Sequence, residues 1–407
     1  MADFYQGSKI TTLHRLTDRP LEEMERELFE FAQKRPLGLI LPSLFSELQG
    51  DALSHIIDEL QHASYLSHII IGLDRADETQ FRYAQEFFSR LPQQTHLLWQ
   101  DGPRLRSLDE ELKERELSPP EPGKGRNVWF CMGYALAIEE LEAIGLHDCD
   151  IVTYNRDLPA RLFYPMAHPH FNFEYAKGYY ARINGNKLSG RVTRLFVTPL
   201  VRALRLMVGP LDYLEYMDSF LYPLSGEFAM SRDLASQVRI PSDWGLEVGL
   251  LSEVYRNISH HQICQVDIAD QYDHKHQDLS AEDRQGGLAK MSRDIAKSFY
   301  RKLATEGIQM NQAFFRSLKA AYLRKALDMV EMYYHDARIN AFNFNRHAEE
   351  EAIEVFQQSV VEAGQAFLEN PLETPFIPNW KRVLSAMPDF TDRLYQAVKA
   401  DSESSVL

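Results

Sequence analysis

The sequence predicts an α/β fold followed by a helical C-terminal region, and three observations support this prediction. Short apolar runs alternate with segments of helical spacing over residues 37–154, which is the pattern of a sheet with crossover helices. Beyond residue 285, apolar residues recur three and four positions apart over long stretches. Hydrophobic residues make up 44% and charged residues 25% of the 407-residue chain, which excludes disordered and fibrous proteins.

The first 36 residues are predicted to form a helical extension that ends at Pro36. Its apolar positions have helical spacing: Leu21, Met24, Leu28 and Phe31. Residues 37–290 are predicted to form the α/β domain, and residues 291–407 the helical region. One apolar stripe marks that region: Phe315, Leu318, Tyr322, Met329 and Tyr333.

Four apolar runs in the α/β domain have the composition of buried parallel strands. They cover residues 37–42, 68–74, 95–99 and 150–154. Helices are predicted between them, including one over residues 128–144. The domain therefore resembles a doubly wound nucleotide-binding sheet.

Charge and cysteine content narrow the class of protein. The chain has 44 basic and 59 acidic residues, a net charge of −15, which argues against nucleic-acid binding and binding to anionic membranes. It has no run of roughly 18 apolar residues and no apolar leader, so we expect a cytoplasmic protein without a membrane span. Cys131, Cys149 and Cys264 have no zinc or disulfide spacing and are interpreted as small buried hydrophobic residues.

Polar residues follow three of the predicted strands, where ligands of open α/β sheets bind. They are Pro42, Ser43 and Glu47; Asp74, Arg75 and Asp77; and Asn155, Arg156 and Asp157. Acidic groups at these places can hold a nucleobase, a ribose or a metal. Capping of the next helix is the alternative explanation for each one.

Two pairs of polar residues have the i, i+2 spacing that places both side chains on one face of an extended segment. Asp148 and Asp150 lie at the amino end of the predicted strand at 150–154, whereas Asn155 and Asp157 follow its carboxyl end. Position therefore favours Asn155 and Asp157 as ligands of Mg²⁺ or Mn²⁺, although the neutral Asn155 is a weaker ligand.

Two loops are candidates for binding anions. Residues 122–127 open a helix with small residues, and Lys124 adds a positive charge. In residues 189–194, Gly190 can expose backbone N–H groups, while Arg191 and Thr193 can bind a phosphate or carboxylate. A plain turn and a solvated basic face are the respective alternatives.

Three further residues could take part in chemistry. Glu227 and Glu247 lie in glycine-containing turns and can accept hydrogen bonds from sugar hydroxyls. His274 stands among acidic residues and can bind a metal as a neutral imidazole.

In this order, the motifs resemble those of the retaining glycosyltransferases that make glucosyl-3-phosphoglycerate, and more distantly those of mannosylglycerate synthases. The resemblance spans about residues 37–295, through LILPSLFSE, PGKG, DIVTYNRDL, GRVTRLFVTPL, PLSGE, DWGLEVGLL and DHKHQDL. It implies a GT-A type, Rossmann-like catalytic domain, a sugar nucleotide donor, a divalent cation and 3-phosphoglycerate as acceptor.

The resemblance also assigns roles by position. The uridine diphosphate site falls on Pro42, Ser43, Glu47, Asp74 and Lys124. The metal ligands fall on Asn155, Asp157 and His274. The site of the acceptor phosphate falls on Gly190, Arg191, Val192 and Thr193. Catalytic carboxylates around the donor sugar fall on Glu227 and Glu247, together with Asp157.

We therefore predict transfer of glucose from a nucleoside diphosphate, UDP-glucose in the first place, to 3-phosphoglycerate, as a step of compatible-solute synthesis. One alternative is direct transfer of glucose or mannose to glycerate or another small acid. The other is a catalytically silent sugar-nucleotide binder. It is considered because Asn155 stands where the family usually has the first aspartate of its metal-binding motif. The apolar stripes of the C-terminal helices further suggest a homodimer.

Overall fold

The computed structural model describes residues 6–241, 245–274, 287–371 and 376–403, which form helical layers on both faces of one mixed sheet. Its strands are β1 Thr11–Leu13, β2 Leu37–Leu44, β3 Leu66–Asp74, β4 Gln94–Trp99, β5 Ala143–Leu146, β6 Tyr175–Asn184, β7 Lys187–Leu188, β8 Phe228–Ser231 and β9 Ile263–Tyr272. Asp243, Trp244 and His276, which belong to the motifs above, lie outside the described residues.

The helices of the first part are α1 Leu21–Ala32, α2 Asp51–Leu60, α3 Glu78–Phe88, α4 Pro103–Glu114, α5 Lys124–Ala137, α6 Asp157–Ala167, α7 Thr198–Val208, α8 Asp212–Ser219, α9 Arg232–Gln237 and α10 Leu246–Asn257. Those of the C-terminal part are α11 Gly287–Thr305, α12 Gln312–Ile339, α13 Arg346–Glu369, α14 Trp380–Ala386 and α15 Phe390–Glu403. Short 3₁₀ turns cover Phe45–Gln49 and His260–Gln262, and a π-helical segment, Val192–Val197, leads into α7.

The strand order is β4-β3-β2-β5-β8-β6-β9-β1, with β7 paired to β6. β4, β3, β2 and β5 are parallel, β8 is antiparallel to both its neighbours, and β9 and β1 are again parallel to β6 and to each other. Because β3 and β5 lie on opposite sides of β2, the carboxyl ends of β2 and β5 flank a crevice where such sheets bind ligands.

The apolar runs are continuous because both faces of the sheet are covered. Side chains such as Ile40 and Ile70 join a core with α4, α5 and the C-terminal helices. Their neighbours Leu39 and Ile69 join a second core with α1, α2, α3 and α6. The alternation of side chains along each strand thus divides one apolar run between two cores.

One predicted strand is wrong. The chain at 150–154 contributes only an isolated bridge from Ile151 to His274, and Val152 is 52% exposed. The strand at this place is β5, whose first two residues the sequence assigns to the predicted helix over residues 128–144. Gly145 permits it, because a Cβ there would overlap the Phe163 ring of α6.

The terminal segments pack on the same sheet. The predicted N-terminal helix is present as α1, but the segment before it also contributes β1 to the sheet, next to β9. At the other end, the Trp380 ring stacks on Trp129 of α5 at 4.2 Å and donates a 3.0 Å hydrogen bond to the Trp129 carbonyl. Gly133 makes room for the Trp380 ring, with which any Cβ would overlap.

Two expectations about the whole chain concern its cysteines and membrane spans. Cys131, Cys149 and Cys264 are free and buried, as predicted. Within the described ranges, every helix is too short or too polar to cross a membrane.

Candidate active site

A lysine and two carboxylates meet at the carboxyl edge of the sheet. Lys124 is the first residue of α5, and its Nζ lies 2.7 Å from Asp148 Oδ1 and 3.4 Å from Glu247 Oε1. Asp148 follows β5 directly, on the crevice between β2 and β5. Burial alone would lower the pKa of Lys124, but Asp148 and Glu247 outweigh it and raise this pKa above its usual range. The ammonium group therefore stays charged.

Asp150 and His274 lie beside this group. The Asp150 Oδ2 atom is 4.0 Å from His274 Nδ1, and the backbone of His274 pairs with Ile151. Burial and the neighbouring Asp148 raise the pKa of Asp150, so the two carboxylates repel each other. A divalent cation would relieve this repulsion, and carboxylate oxygens with one imidazole suit Mg²⁺ or Mn²⁺.

Within the part of the chain that the structure describes, no three acidic, histidine or cysteine side chains are already closed around one cation position. Asp148, Asp150 and His274 are thus neighbours rather than a completed ligand set. Their chemistry fits a divalent cation, and the ligand phosphates would supply the remaining oxygens.

Asn155 and Asp157, the predicted metal ligands, have other partners. Asp157 opens α6 and pairs with Arg15 at 3.4 Å and with Arg161 at 3.6 Å. The Asn155 Oδ1 atom accepts a 3.0 Å hydrogen bond from the Asp157 backbone N–H. The strand behind this prediction is really β5, whose carboxyl end leads to Asp148 and Asp150. The strand on which the choice of this pair rested is therefore wrong, while the metal-binding roles of Asn155 and Asp157 and the catalytic role of Asp157 stay predictions.

The predicted nucleotide residues of β2 lie on the other side of the crevice. Ser43 is buried, and its hydroxyl donates to Glu47 Oε2 at 3.1 Å. The Leu44 N–H donates to the same oxygen at 3.0 Å. Burial raises the pKa of Glu47 to about 7, with a further contribution from Asp150 and Asp148. Glu47 thus lies near enough to the two aspartates for their charges to act on it.

Pro42 and Asp74 lie on adjacent strands. Pro42 is in register with Gly72 of β3, and Asp74 ends β3. Burial and then Asp101 raise the pKa of Asp74, while the Arg75 N–H donates to its Oδ1 at 3.0 Å. Both residues therefore lie along the carboxyl edge that the sequence predicted.

Glu227 is fully buried and accepts three hydrogen bonds from hydroxyls. The donors are Tyr180 at 2.7 Å, Tyr272 at 2.8 Å and Ser225 at 3.0 Å. The residue before it must be glycine, because a Cβ at Gly226 would overlap the Asp148 carboxylate. Burial and Asp148 raise the pKa of Glu227. This turn thus brings Glu227 against the acidic pair.

Sequence reasoning assigned no role to Lys177, which is fully buried in β6. Its Nζ donates a 2.5 Å hydrogen bond to the Ser225 carbonyl, and burial lowers its pKa to about 8. A lone lysine in the apolar run YAKGYY was the available signal. For Asp148 and Asp150, the signal was the short run Ala143–Leu146 directly before them.

The predicted acceptor segment, Gly190 to Thr193, is connected to the carboxyl edge of the sheet by the side chain of Tyr222. Gly190 has a φ of +72°, and a Cβ there would lie 3.3 Å from the Tyr222 hydroxyl. The Tyr222 ring is 4.9 Å from the ring of Tyr180, which binds Glu227. Val192 and Thr193 begin the π-helical segment, a distortion frequent at functional sites. The Thr193 hydroxyl is buried without a hydrogen-bond partner among the described residues.

Comparison with known proteins gives the family. No protein-family model matches the chain. The glucosyl-3-phosphoglycerate synthase of Persephonella marina is 48% identical over 402 residues, covering 99% of both chains. The same enzyme of Methanococcoides burtonii is 40% identical over 405 residues, covering 98% of both chains.

A solved structure supports the fold. The Mycobacterium tuberculosis glucosyl-3-phosphoglycerate synthase in complex with Mn²⁺, UDP-glucose and phosphoglyceric acid matches with a TM-score of 0.53 and 22% identity, over 75% of this chain and 90% of that chain. This match confirms the predicted GT-A type fold. Since both curated relatives match along nearly their whole length, this chain belongs to the glucosyl-3-phosphoglycerate synthase family of glycosyltransferases.

Proposed function

We propose that this chain transfers the glucosyl group of UDP-glucose to 3-phosphoglycerate with retention of the anomeric configuration, assisted by Mg²⁺ or Mn²⁺. The observation that carries the proposal is the Lys124–Asp148 pair beside Asp150 and His274 at the crevice between β2 and β5. The names of the two relatives and the ligands of the mycobacterial structure support the same reaction.

Asp148, Asp150 and His274 are the residues proposed to hold the metal. The edge carries more carboxylates than ammonium groups: Glu47, Asp148, Asp150, Glu227 and Glu247 against Lys124 and Lys177. An anionic diphosphate is repelled by such a surface unless a cation accompanies it. When bound, the metal supplies positive charge that stabilises the departing diphosphate.

Lys124 is proposed to contact the diphosphate, since its ammonium group stays charged and lies at the amino end of α5. Positive charge held there stabilises the negative charge that builds on the leaving oxygen. The bond between the anomeric carbon and the diphosphate breaks, and a bond to the acceptor hydroxyl oxygen forms on the same face of the sugar. The hydroxyl proton passes to the leaving diphosphate oxygen.

The two predicted catalytic glutamates have partners that define their roles. Both oxygens of Glu227 accept hydroxyl hydrogen bonds, so we propose that it orders Tyr180 and Tyr272 beside the donor sugar rather than removing a proton. Glu247 pairs with Lys124 and keeps it oriented until the donor arrives.

The acceptor is proposed to bind at Gly190 to Thr193. The Arg191 guanidinium is partly exposed, and the Thr193 hydroxyl has no hydrogen-bond partner among the described residues. A phosphate or carboxylate can accept from both groups and from backbone N–H groups next to Gly190. Holding the acceptor in this way supplies the proximity that transfer requires.

Two alternatives remain distinct from this proposal. Direct transfer to glycerate would need no phosphate site at Arg191. The silent binder was motivated by Asn155, and it loses this motivation under the proposal that Asp148 and Asp150 hold the metal.

The test is a product assay with UDP-glucose and other nucleotide sugars against 3-phosphoglycerate and glycerate, with Mg²⁺, Mn²⁺ or a chelator. We expect glucosyl-3-phosphoglycerate with the α-anomeric carbon retained by NMR, and no product with the chelator. Faster transfer to glycerate, or donor binding without transfer, would reject the proposal.

Three features of the protein in the cell belong to the same proposal. We place it in the cytoplasm, where free cysteines such as Cys131 stay reduced, and its product in compatible-solute synthesis. We also propose a homodimer, because Met332 and Ile339 of α12 expose apolar side chains. Sedimentation of the purified protein tests the homodimer.

A further inference from the structure

A carboxylate of the helical C-terminal region binds two arginines at the proposed acceptor segment. Glu349, in the first turn of α13, is buried, and its two oxygens bind two arginines. The Arg191 Nε donates to Oε1 at 2.9 Å, and Arg194 NH1 donates to Oε2 at 2.8 Å. One carboxylate thus connects both ends of the stretch that holds Val192 and Thr193.

The two arginines are held to different degrees. Arg194 is buried, donates to the Ser189 carbonyl at 2.8 Å, and lies 4.8 Å from the centre of the Tyr333 ring of α12. Arg191 is 35% exposed, and the structure gives its side chain Glu349 as its partner. Arg194 therefore anchors Glu349, and Glu349 in turn orients Arg191.

The contact between Glu349 and Arg191 leaves donor groups of the arginine available for a ligand. Glu349 accepts from the Nε atom, and among the described residues the two terminal nitrogens of Arg191 make no hydrogen bond, so their N–H groups can bind an anion. A second contact lies in the same region. The Asn343 N–H donates to the Asn186 carbonyl at 2.8 Å. The connection between α12 and α13 is thereby joined to the β6–β7 hairpin.

We propose that Glu349 is a positioning residue that sets the orientation of Arg191 towards the acceptor, so that the helical C-terminal region determines acceptor affinity. This inference rests on the proposed function. An ion pair with a partly exposed arginine adds little to stability, whereas a fixed guanidinium loses less rotamer freedom when it binds an anion. Without the carboxylate, Arg191 and Arg194 repel each other, and the exposed Arg191 turns towards solvent.

The experiment compares Glu349→Gln and Glu349→Asp with Glu351→Gln as a matched control. Glu351 lies on the same helix, is exposed, and pairs with His347 at 3.6 Å, away from the arginines. The KM for 3-phosphoglycerate, the KM for UDP-glucose and kcat are measured, and the melting temperature is recorded for each variant. We expect Glu349→Gln to raise the acceptor KM about tenfold or more and the donor KM less than about twofold. Glu349→Asp keeps the charge and should restore part of the acceptor affinity.

Three results overturn the inference: an unchanged acceptor KM in Glu349→Gln, equal rises of both KM values, or the same change in Glu351→Gln. If Glu349→Gln does not fold, the acceptor KM of Glu349→Asp decides in the same way, with a rise supporting the inference and wild-type affinity rejecting it. Absence of turnover with 3-phosphoglycerate in the wild-type enzyme would instead reject the proposed function.

Discussion

Two acidic segments lie seven residues apart in the chain and have opposite surroundings. Asp148 and Asp150 border the crevice between β2 and β5, beside Lys124 and His274. Asn155 and Asp157 open α6, where Asp157 is enclosed by two arginines. Two polar pairs with the same i, i+2 spacing thus lie beside a lysine and a histidine in one segment and at a helix terminus in the other.

Spacing alone therefore does not identify a metal site. Burial and then the neighbouring Asp148 carboxylate raise the pKa of Asp150, and the repulsion between the two carboxylates is what a cation would relieve. Asp157 is already neutralised by Arg15 and Arg161, so a cation there would have to displace them. The position of the preceding strand decides which situation arises.

We expect the largest effect from a substitution in the first segment, and this effect should distinguish the functions of the two segments. We expect Asp148→Asn to reduce kcat at least about 10³-fold, because it removes a proposed metal ligand and the partner of Lys124. Mn²⁺ affinity, measured by calorimetry with UDP present, should fall in parallel. Asp157→Asn is the matched control, with the same chemical change in the other segment. Comparable losses in both variants would contradict the distinction.

Much of the edge could be predicted from the sequence because its residues follow long apolar runs. Ser43, Glu47 and Asp74 come directly after runs that the structure confirms as β2 and β3. Lys124 was predicted from a glycine-rich turn, and it does open a helix.

Asn155 and Asp157 were preferred to Asp148 and Asp150 because β5 has only four residues, the first two of which fall within the helical spacing read over residues 128–144. The longer run at 150–154 has the better strand composition, although its backbone pairing in the described chain is confined to the Ile151–His274 bridge and a hydrogen bond from the Val152 N–H to the Asp273 carbonyl. Glu349 is 155 residues from Arg194 in the sequence, and no local pattern predicts a contact over such a separation. Distant pairing of this kind is decided by packing of α13 rather than by spacing.

Lys124→Met tests the same difference between the two segments by removing the cation beside Asp148. We expect kcat to fall about 10²-fold, since the methionine keeps the volume but loses the charge beside the diphosphate. Donor KM should rise as well, and the acceptor KM should change little. Arg161→Met, which removes a cation beside Asp157, is the control and should leave kcat near the wild-type value. A similar loss of kcat in both variants would show that the charge beside Asp148 has no special role.

Glu47→Gln tests the burial of the Glu47 carboxylate, together with the smaller repulsion from Asp150 and Asp148, through the pH dependence of stability. The folded pKa of Glu47 is about 7, raised from 4.5, so the folded protein binds more protons than the unfolded chain between these values. Stability from this group is therefore complete below about pH 4.5 and is lost as the pH rises through 7. Because Glu47 is partly exposed, we expect a loss of roughly 1–3 kcal/mol.

The measurement is urea unfolding from pH 4.5 to 8 in the presence of a chelator. The variant should lack this part of the pH dependence, and Asp51→Asn in the exposed first turn of α2 should retain it. Added Mn²⁺ should flatten the wild-type curve, because it offsets the charges of Asp148 and Asp150. An identical pH slope in wild type and Glu47→Gln would mean that Glu47 does not have the raised pKa on which this prediction depends.

The smallest effect should come from Asp157→Asn. The carboxylate is 20% exposed and pairs with Arg15 and Arg161 at 3.4 and 3.6 Å, so its removal should cost about 1 kcal/mol of stability or less. High salt should reduce that cost, and the metal dependence and kcat should stay at wild-type values. Asp270→Asn removes the more exposed partner of Arg15 and should cost less still. If Asp157→Asn instead lost metal-dependent turnover while its unfolding curve stayed unchanged, the site would extend from the crevice to the start of α6, and the two segments would act together.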